Sequence, residues 1–426
     1  MFFHQLFYIT RQKGQKILLY LAIAIGFYSA WSIGANDVAN SMGTVVGSRA
    51  VTLKRAIIIA GIFEFLGAFL VGSHVTDTVR KGIIDPLFFS AQPELLAYGM
   101  FSALLAAAIF QHIATLFSIP VSTTHAIVGA IFGFGIISAG FDSVNWSKIG
   151  IISSGWIISP LLGGLVSFTL FNIIRRLILA KEHSYQAAIK VTPVIVFVQF
   201  STIVLSVIYK GLKNLHLDFP FLQALLIALT VGIIAAYITW IIFKKDTIIR
   251  DQKEQYIKVE KIFGHLQIYT ACYIAFAHGA NDVANAMGPV AAIFSISQTN
   301  SIIMQVAVPT WILILGGIGI VLGLSTYGYK VIETIGKKIT EITPTRGFAA
   351  EFSTATTVLV FSRLGLPIST THTMVGSVIG VGFARGIATL NLRVIRNIIT
   401  SWFITIPVAA ILTVIIYKVI LLISNL

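Results

Sequence analysis

Apolar residues fall along this chain in twelve runs, most of them near twenty residues long and separated by short polar links. They cover 17–46, 56–73, 95–117, 121–140, 149–174 and 192–209 in the first half of the chain. They continue at 219–243, 265–295, 302–328, 347–361, 368–388 and 397–424. A helix of about 20 apolar residues spans the hydrocarbon core of a bilayer. The pattern therefore predicts an all-α polytopic membrane protein with about twelve transmembrane segments. The third and fourth runs are joined only by residues 118–120, so that pair, and its later counterpart at 347–361 and 368–388, reads equally as two full spans or as a re-entrant hairpin.

Polar residues inside these runs are few, and the conspicuous ones occur twice. The stretch Gly-Ala-Asn-Asp-Val-Ala-Asn stands at 34–40 and again at 279–285. An aspartate at the bilayer centre costs about 2.5–3.5 kcal/mol on insertion scales, so a repeated Asn-Asp-x-x-Asn points to a use beyond one polar helix contact. The segment Ile-Pro-Val-Ser-Thr-Thr-His at 119–125 is echoed by Leu-Pro-Ile-Ser-Thr-Thr-His at 366–372. Residues 75–81 are echoed at 331–337, and a tryptophan followed by a proline recurs at Trp156/Pro160 and Trp402/Pro407. The echoes keep their order, so each half carries a repeat of five segments. The first and eighth segments lie an odd number of spans apart, which makes the repeats inverted. Inverted repeats with interrupted helices are the build of secondary transporters, with the site between the halves. The organisation expected is a first repeat over 1–180, two intervening segments and a charged linker over 181–261, and a second repeat over 262–426.

Composition agrees. Of 426 residues, 56% are hydrophobic and only 11% charged, against about 25% charged in soluble domains. The net charge of +14 does not indicate nucleic acid, because the basic residues stand at the ends of apolar runs. Assigning the links alternately to two sides puts 20 of the 30 Lys and Arg on the side holding residues 244–261. The positive-inside rule makes that side cytoplasmic and places both termini outside, although Arg11, Lys13 and Lys16 pull the other way. The single cysteine, Cys272, excludes an intramolecular disulfide and has no set of metal ligands nearby.

The repeated motifs suggest chemistry. Gly34 permits a break in the first helix, which would free backbone carbonyls beside Asn36, Asp37 and Asn40; Asn281, Asp282 and Asn285 repeat the set. Carbonyl, carboxylate and amide oxygens suit a small hard cation such as Na⁺. A proton carried on Asp37 or Asp282 is the competing use. Ser122, Thr123 and Thr124, like Ser369, Thr370 and Thr371, follow a proline and open an apolar run, as a helix N-terminus does. Such an end favours anions, and three hydroxyls add rotatable donors. One copy alone would read as a helix cap; two copies, each paired with an Asn-Asp motif, read as an anion held from both sides. His125 and His372 either donate to that anion or pack. Glu64 and Glu351 lie inside apolar runs and could accept a hydrogen from a protonated substrate, carry a proton, or pair with a base such as Arg346.

These motifs resemble the inorganic phosphate transporter (PiT) family, the type III sodium–phosphate cotransporters of animals. The paired Gly-Ala-Asn-Asp and Ser-Thr-Thr-His stretches carry the likeness, with Ile62, Phe63, Glu64 and residues 75–85 in support. It covers both repeats and leaves out the sixth and seventh segments. The resemblance implies symport of inorganic phosphate with Na⁺ or H⁺ by alternating access, with no further cofactor and no enzymatic activity. Ser122, Thr123, Thr124, Ser369, Thr370 and Thr371 would contact phosphate; Asn36, Asp37, Asn40, Asn281, Asp282 and Asn285 would bind the coupling cation. Glu64 and Glu351 match glutamates that matter for transport in the family. A homodimer embedded in the lipid bilayer of the plasma (bacterial inner) membrane completes the expectation. Many animal relatives carry a long insertion between the halves, where this chain has about 18 polar residues. Phosphate at neutral pH still bears a proton, so a carboxylate acceptor would favour it over sulfate. Two rivals are a channel, whose filters also use oxygen ligands, and an intramembrane metalloenzyme using His125, His278 and His372. The second lacks any His-Glu-x-x-His or Cys-x-x-Cys pattern.

Overall fold

Each of the twelve apolar runs contains a helix. The computed structural model describes residues 2–71, 83–208, 219–244, 249–302, 308–363 and 368–424. Residues 75–81, Pro367 and the side chain of Asn40 lie outside the described residues. Among those described, the only strand-like pairing is one antiparallel bridge between Ile84 and Val144. Among the described residues seven helices are long and apolar enough to cross a bilayer, and Thr123–Ala139 is a shorter apolar helix. The chain is an all-helical membrane protein.

The first element is α1 (Phe2–Ile33), which runs through a π-helical turn, Gly34–Val38, into α2 (Ala39–Gly47). The break expected at Gly34 is therefore a local widening. A π-turn keeps the backbone groups bonded where unwound chain would leave them unsatisfied in hydrocarbon, and such turns are frequent at functional sites. The second copy of the motif lies in α9 (Gln252–Thr299), whose 48 residues form an α-helix without interruption. At about 1.5 Å per residue α9 is about 72 Å long, far more than a bilayer core, so much of the expected linker is its first turns, capped by Asp251.

What the two motif glycines provide is proximity. Gly34 lies against the backbone carbonyl of Ile320 in α10 (Thr310–Tyr327), and Gly279 against that of Glu64 in α3 (Leu53–Val71). A methyl group at either place would collide with that carbonyl. Each motif helix is thus wedged against the second helix of the opposite half. Gly26 of α1 faces Val290 of α9 while Asp37 faces His278, so these two helices run antiparallel.

The later helices exchange partners in the same way. α4 (Pro93–Leu116) leads into α5 (Thr123–Ala139), followed by α6 (Trp146–Ile174). After α10 come a short α11 (Tyr329–Glu333), α12 (Pro344–Arg363), α13 (Thr370–Arg385) and α14 (Leu392–Ser424). α5 packs on α14 and α13 on α6, so each Ser-Thr-Thr helix is held by the last helix of the other half. α7 (Ser184–Ser206) and α8 (Phe221–Phe243) pack on one another at the periphery, with α7 touching α9.

Candidate functional site

The non-helical link between α4 and α5 lies beside the first motif, and Asn36 satisfies two of its backbone groups. Its side-chain oxygen accepts from the Val121 N–H at 3.0 Å, and its amide donates to Thr115 Oγ1 and the Ile119 carbonyl, both at 3.0 Å. Ser118 in this link has φ +57°. Buried backbone groups need partners, so Asn36 acts here as a clamp. That places the start of α5 one residue along the chain, at Asp37.

Asp37 is where the two halves meet. Its Oδ2 accepts from the Thr123 N–H at 3.2 Å and from Thr123 Oγ1 at 2.7 Å. Its Oδ1 accepts from Thr371 Oγ1, at the start of α13. One carboxylate thus binds a threonine from each Ser-Thr-Thr copy, at two helix N-termini that favour negative charge. The six hydroxyls divide into three roles. Ser122 caps α5, accepting from the His125 N–H at 3.3 Å, and Ser369 caps α13, accepting from the His372 N–H at 3.2 Å. Thr123 and Thr371 hold Asp37. Thr124 and Thr370, both buried, make no hydrogen bond to the protein among the described residues, which leaves them as donors for a ligand.

On the far side of Asp37 stands His278, the residue just before the second motif. Its Nε2 is 3.6 Å from Asp37 Oδ1 and 2.8 Å from Asp282 Oδ2, and its Nδ1 is 3.4 Å from Glu64 Oε1. The carboxylates come from the π-helical turn after α1, from α3 and from α9, and all four side chains are buried. Asn281 and Asn285 donate to Asp282 Oδ1 at 3.2 and 3.4 Å. Asp37, His278 and Asp282 offer ligand atoms within 4.8 Å of one another, an arrangement compact enough for one cation. These four motifs form one buried, acidic and hydroxyl-rich site with no lysine or arginine at salt-bridge distance from Glu64 or Asp282 among the described residues.

The sequence of this chain has relatives that match nearly its whole length. The family model of the phosphate transporter family matches residues 33–413. The chain belongs to that family. A protein of Pyrococcus abyssi that carries the name of a phosphate permease is 47% identical over 401 residues, 94% of this chain and 97% of its own. The chloroplastic inorganic phosphate transporter 2-1 of Arabidopsis thaliana is 44% identical over 433 residues, covering 94% and 72% of the two chains. A solved structure, the sodium-dependent phosphate transporter, is 42% identical with a TM-score of 0.87 and covers 96% of this chain and all of its own. A phosphate transporter family member of this kind is not an enzyme.

The two histidines of the Ser-Thr-Thr-His motifs reach across to the other half. His125 Nδ1 lies 3.3 Å from the Trp402 carbonyl and His372 Nδ1 lies 3.2 Å from the Trp156 carbonyl, so each Nδ1–H donates across to the other half. The His125 ring lies tilted against Trp156 and the His372 ring stacks on Trp402, and the two imidazoles meet edge to face with centres 4.3 Å apart. The repeated tryptophans noted in the sequence thereby acquire a use, as anchors of the first turns of α5 and α13.

Glu351 is placed apart from these groups. It accepts from Thr44 Oγ1 at 2.5 Å, Gln267 Nε2 at 2.8 Å and Thr270 Oγ1 at 2.8 Å, and Ser48 joins through Gln267 at 2.7 Å. Thr44 stands seven residues, about 10 Å along a helix, beyond Asp37. Arg346, the base considered for Glu351, pairs with Glu341 instead, at 3.5 Å. Charge-assisted hydrogen bonds contribute about 1.5–3 kcal/mol each. Glu351→Gln should therefore destabilise the α2–α9–α12 contact by about 2–4 kcal/mol, seen as a lower unfolding temperature in detergent. The ratio of phosphate to sulfate transport should be unchanged. A shifted ratio at unchanged stability would return Glu351 to the substrate.

Proposed function

We propose that this protein is a secondary active symporter that carries inorganic phosphate together with Na⁺ by alternating access. The observation that carries the reading is the convergence of both Ser-Thr-Thr copies and the first Asn-Asp copy on Asp37, next to His278 and Asp282 of the second. Phosphate lies between the starts of α5 and α13, where helix-end N–H groups and the hydroxyls of Thr124 and Thr370 donate to its oxygens. The cation lies on the carboxylate side, at Asp37 and Asp282, with Asn281 and Asn285 completing its oxygen shell. Asn40 is assigned to the same shell from its sequence position. Sodium coupling is favoured over proton coupling because a solved relative at 42% identity is a sodium-dependent phosphate transporter.

The two halves act as inverted repeats, 1–180 and 262–426, in a twelve-segment bundle, with 181–261 between them. The antiparallel run of α1 and α9 and the exchanged packing of α5 on α14 and α13 on α6 support this. α5 and α13 have 17 and 16 residues, fewer than the about 20 needed to span, which favours re-entrant hairpins. Alternating access then rocks elements around a fixed site made by both halves. With residues 244–261 cytoplasmic, the protein works in a plasma membrane.

The test is labelled phosphate uptake into proteoliposomes. An inward Na⁺ gradient at constant pH should drive accumulation, and a proton gradient without Na⁺ should not. Uptake driven by protons alone would make the buried carboxylates proton carriers. No uptake under either gradient would remove the symport reading altogether.

A further inference from the structure

A second concave feature lies far from the phosphate site, on the two helices that the repeats do not include. A groove of about 850 Å³ runs between α7, α8 and the first part of α9. We propose that it binds an anionic phospholipid of the leaflet on the lysine-rich side, with the phosphate headgroup at Lys258 and Lys261 and an acyl chain along the groove.

Length and charge both point to that occupant. Along α9 the groove extends from Glu254 to Tyr269, fifteen residues or about 22 Å. Half of a bilayer, headgroups included, is about 20–22 Å thick. One end is charged. Lys258 lies 5.3 Å over the Tyr185 ring and 3.8 Å from Glu254 Oε1, and Lys261 has no acidic partner among the described residues. Lys244, at the same end of α8, lies over the Trp240 ring. Glu254 offsets part of this charge, which leaves the end net positive.

The other end is apolar. Phe200 and Tyr269 meet edge to face with ring centres 5.3 Å apart, next to Ala235 and Ile238. The two threonines on the wall, Thr192 and Thr239, donate to carbonyls of their own helices at 2.7 and 2.8 Å. The deep part thus has hydroxyls that are already bonded, beside a row of side chains that match a hydrocarbon chain. Basic pockets between transmembrane helices recognise phosphorylated headgroups in this manner. Inorganic phosphate alone would leave the apolar length uncovered.

The experiment is native mass spectrometry of the full chain in detergent, titrated with phosphatidylglycerol and with phosphatidylcholine of the same chain length. The wild type should retain phosphatidylglycerol preferentially. Lys258→Gln with Lys261→Gln should weaken that lipid roughly fivefold per lysine and leave phosphatidylcholine unchanged. Ala235→Trp, which fills the deep end, should weaken both lipids while phosphate uptake persists. Equal retention of the two lipids, or a double lysine variant that binds like the wild type, overturns the proposal. So does displacement of the lipid by excess inorganic phosphate. A change from dimer to monomer in Ala235→Trp with lipid binding intact would make this face a contact between two copies instead.

Discussion

Asp37→Asn should lower phosphate uptake by roughly 100- to 1,000-fold while the protein still folds and accumulates. Asparagine has the shape of aspartate but a neutral oxygen and an NH₂ group where two carboxylate oxygens stand. Three donors point at those oxygens, from Thr123 N–H, Thr123 Oγ1 and Thr371 Oγ1. At least one would face the new NH₂ group and lose its acceptor. With charge-assisted hydrogen bonds at about 1.5–3 kcal/mol each, a loss of about 3–4 kcal/mol follows, and each 1.4 kcal/mol is a factor of ten. The cation would lose a full negative charge as well. Asp37→Glu keeps the charge but pushes it one methylene into α5, so it should also fail. Thr123→Val should weaken uptake less than Asp37→Asn, because it removes one hydroxyl and leaves the backbone donor. Labelled uptake under a saturating Na⁺ gradient, normalised to folded protein by size-exclusion profile, checks the series. Near-normal uptake by Asp37→Asn would mean that the meeting point of the motifs is a structural joint and not the transport site.

Much of this was legible before any coordinates. Runs near twenty residues predict helices because hydrocarbon leaves the backbone no other partner; every run contains a helix, and seven helices among the described residues are long and apolar enough to cross a bilayer. The paired motifs pointed to Asp37, Thr123 and Thr371, since a repeated cost in the bilayer implies a use, and the structure brings these three together. What periodicity could not convey was which atoms meet. Asn36 looks like a cation ligand in sequence and is a clamp on the α4–α5 link in space, because that link's N–H and carbonyl groups are buried. Gly34 looks like a helix breaker and is instead a close contact with α10, a fact that depends on the distant Ile320. Thr44, Gln267 and Thr270 gave no signal at all. They matter only because Glu351, far along the chain, is folded onto them. His278 gave a weak one, as a histidine directly before a repeated motif that has Ile33 at the same place in the other copy.

That asymmetry makes His278 the second position with a large expected effect. Three buried carboxylates, Asp37, Glu64 and Asp282, surround one imidazole. Among the described residues Glu64 has no hydrogen bond from any other group, and its ion-pair contact is His278. Removing one partner of a buried charged pair costs about 3–5 kcal/mol because the other is left uncompensated. His278→Ala should therefore abolish uptake and also lower the amount of folded protein. Loss of both alone would not separate chemistry from folding, but a double-mutant cycle does. His278→Gln with Glu64→Gln removes the uncompensated charge and should recover most of the stability that His278→Gln loses. Uptake should stay near background in the double variant, because a glutamine at 278 cannot hold Asp37 and Asp282 in place while a cation enters and leaves. Thermal unfolding in detergent, with and without Na⁺, reads the first half of this expectation, and proteoliposome uptake the second. Na⁺ should also stabilise His278→Gln more than the wild type, since the cation then supplies positive charge beside Asp37 and Asp282 that the imidazole no longer competes with. If the double variant regained transport, His278 would be a structural counter-ion to Glu64 and the cation site would have to be sought without it.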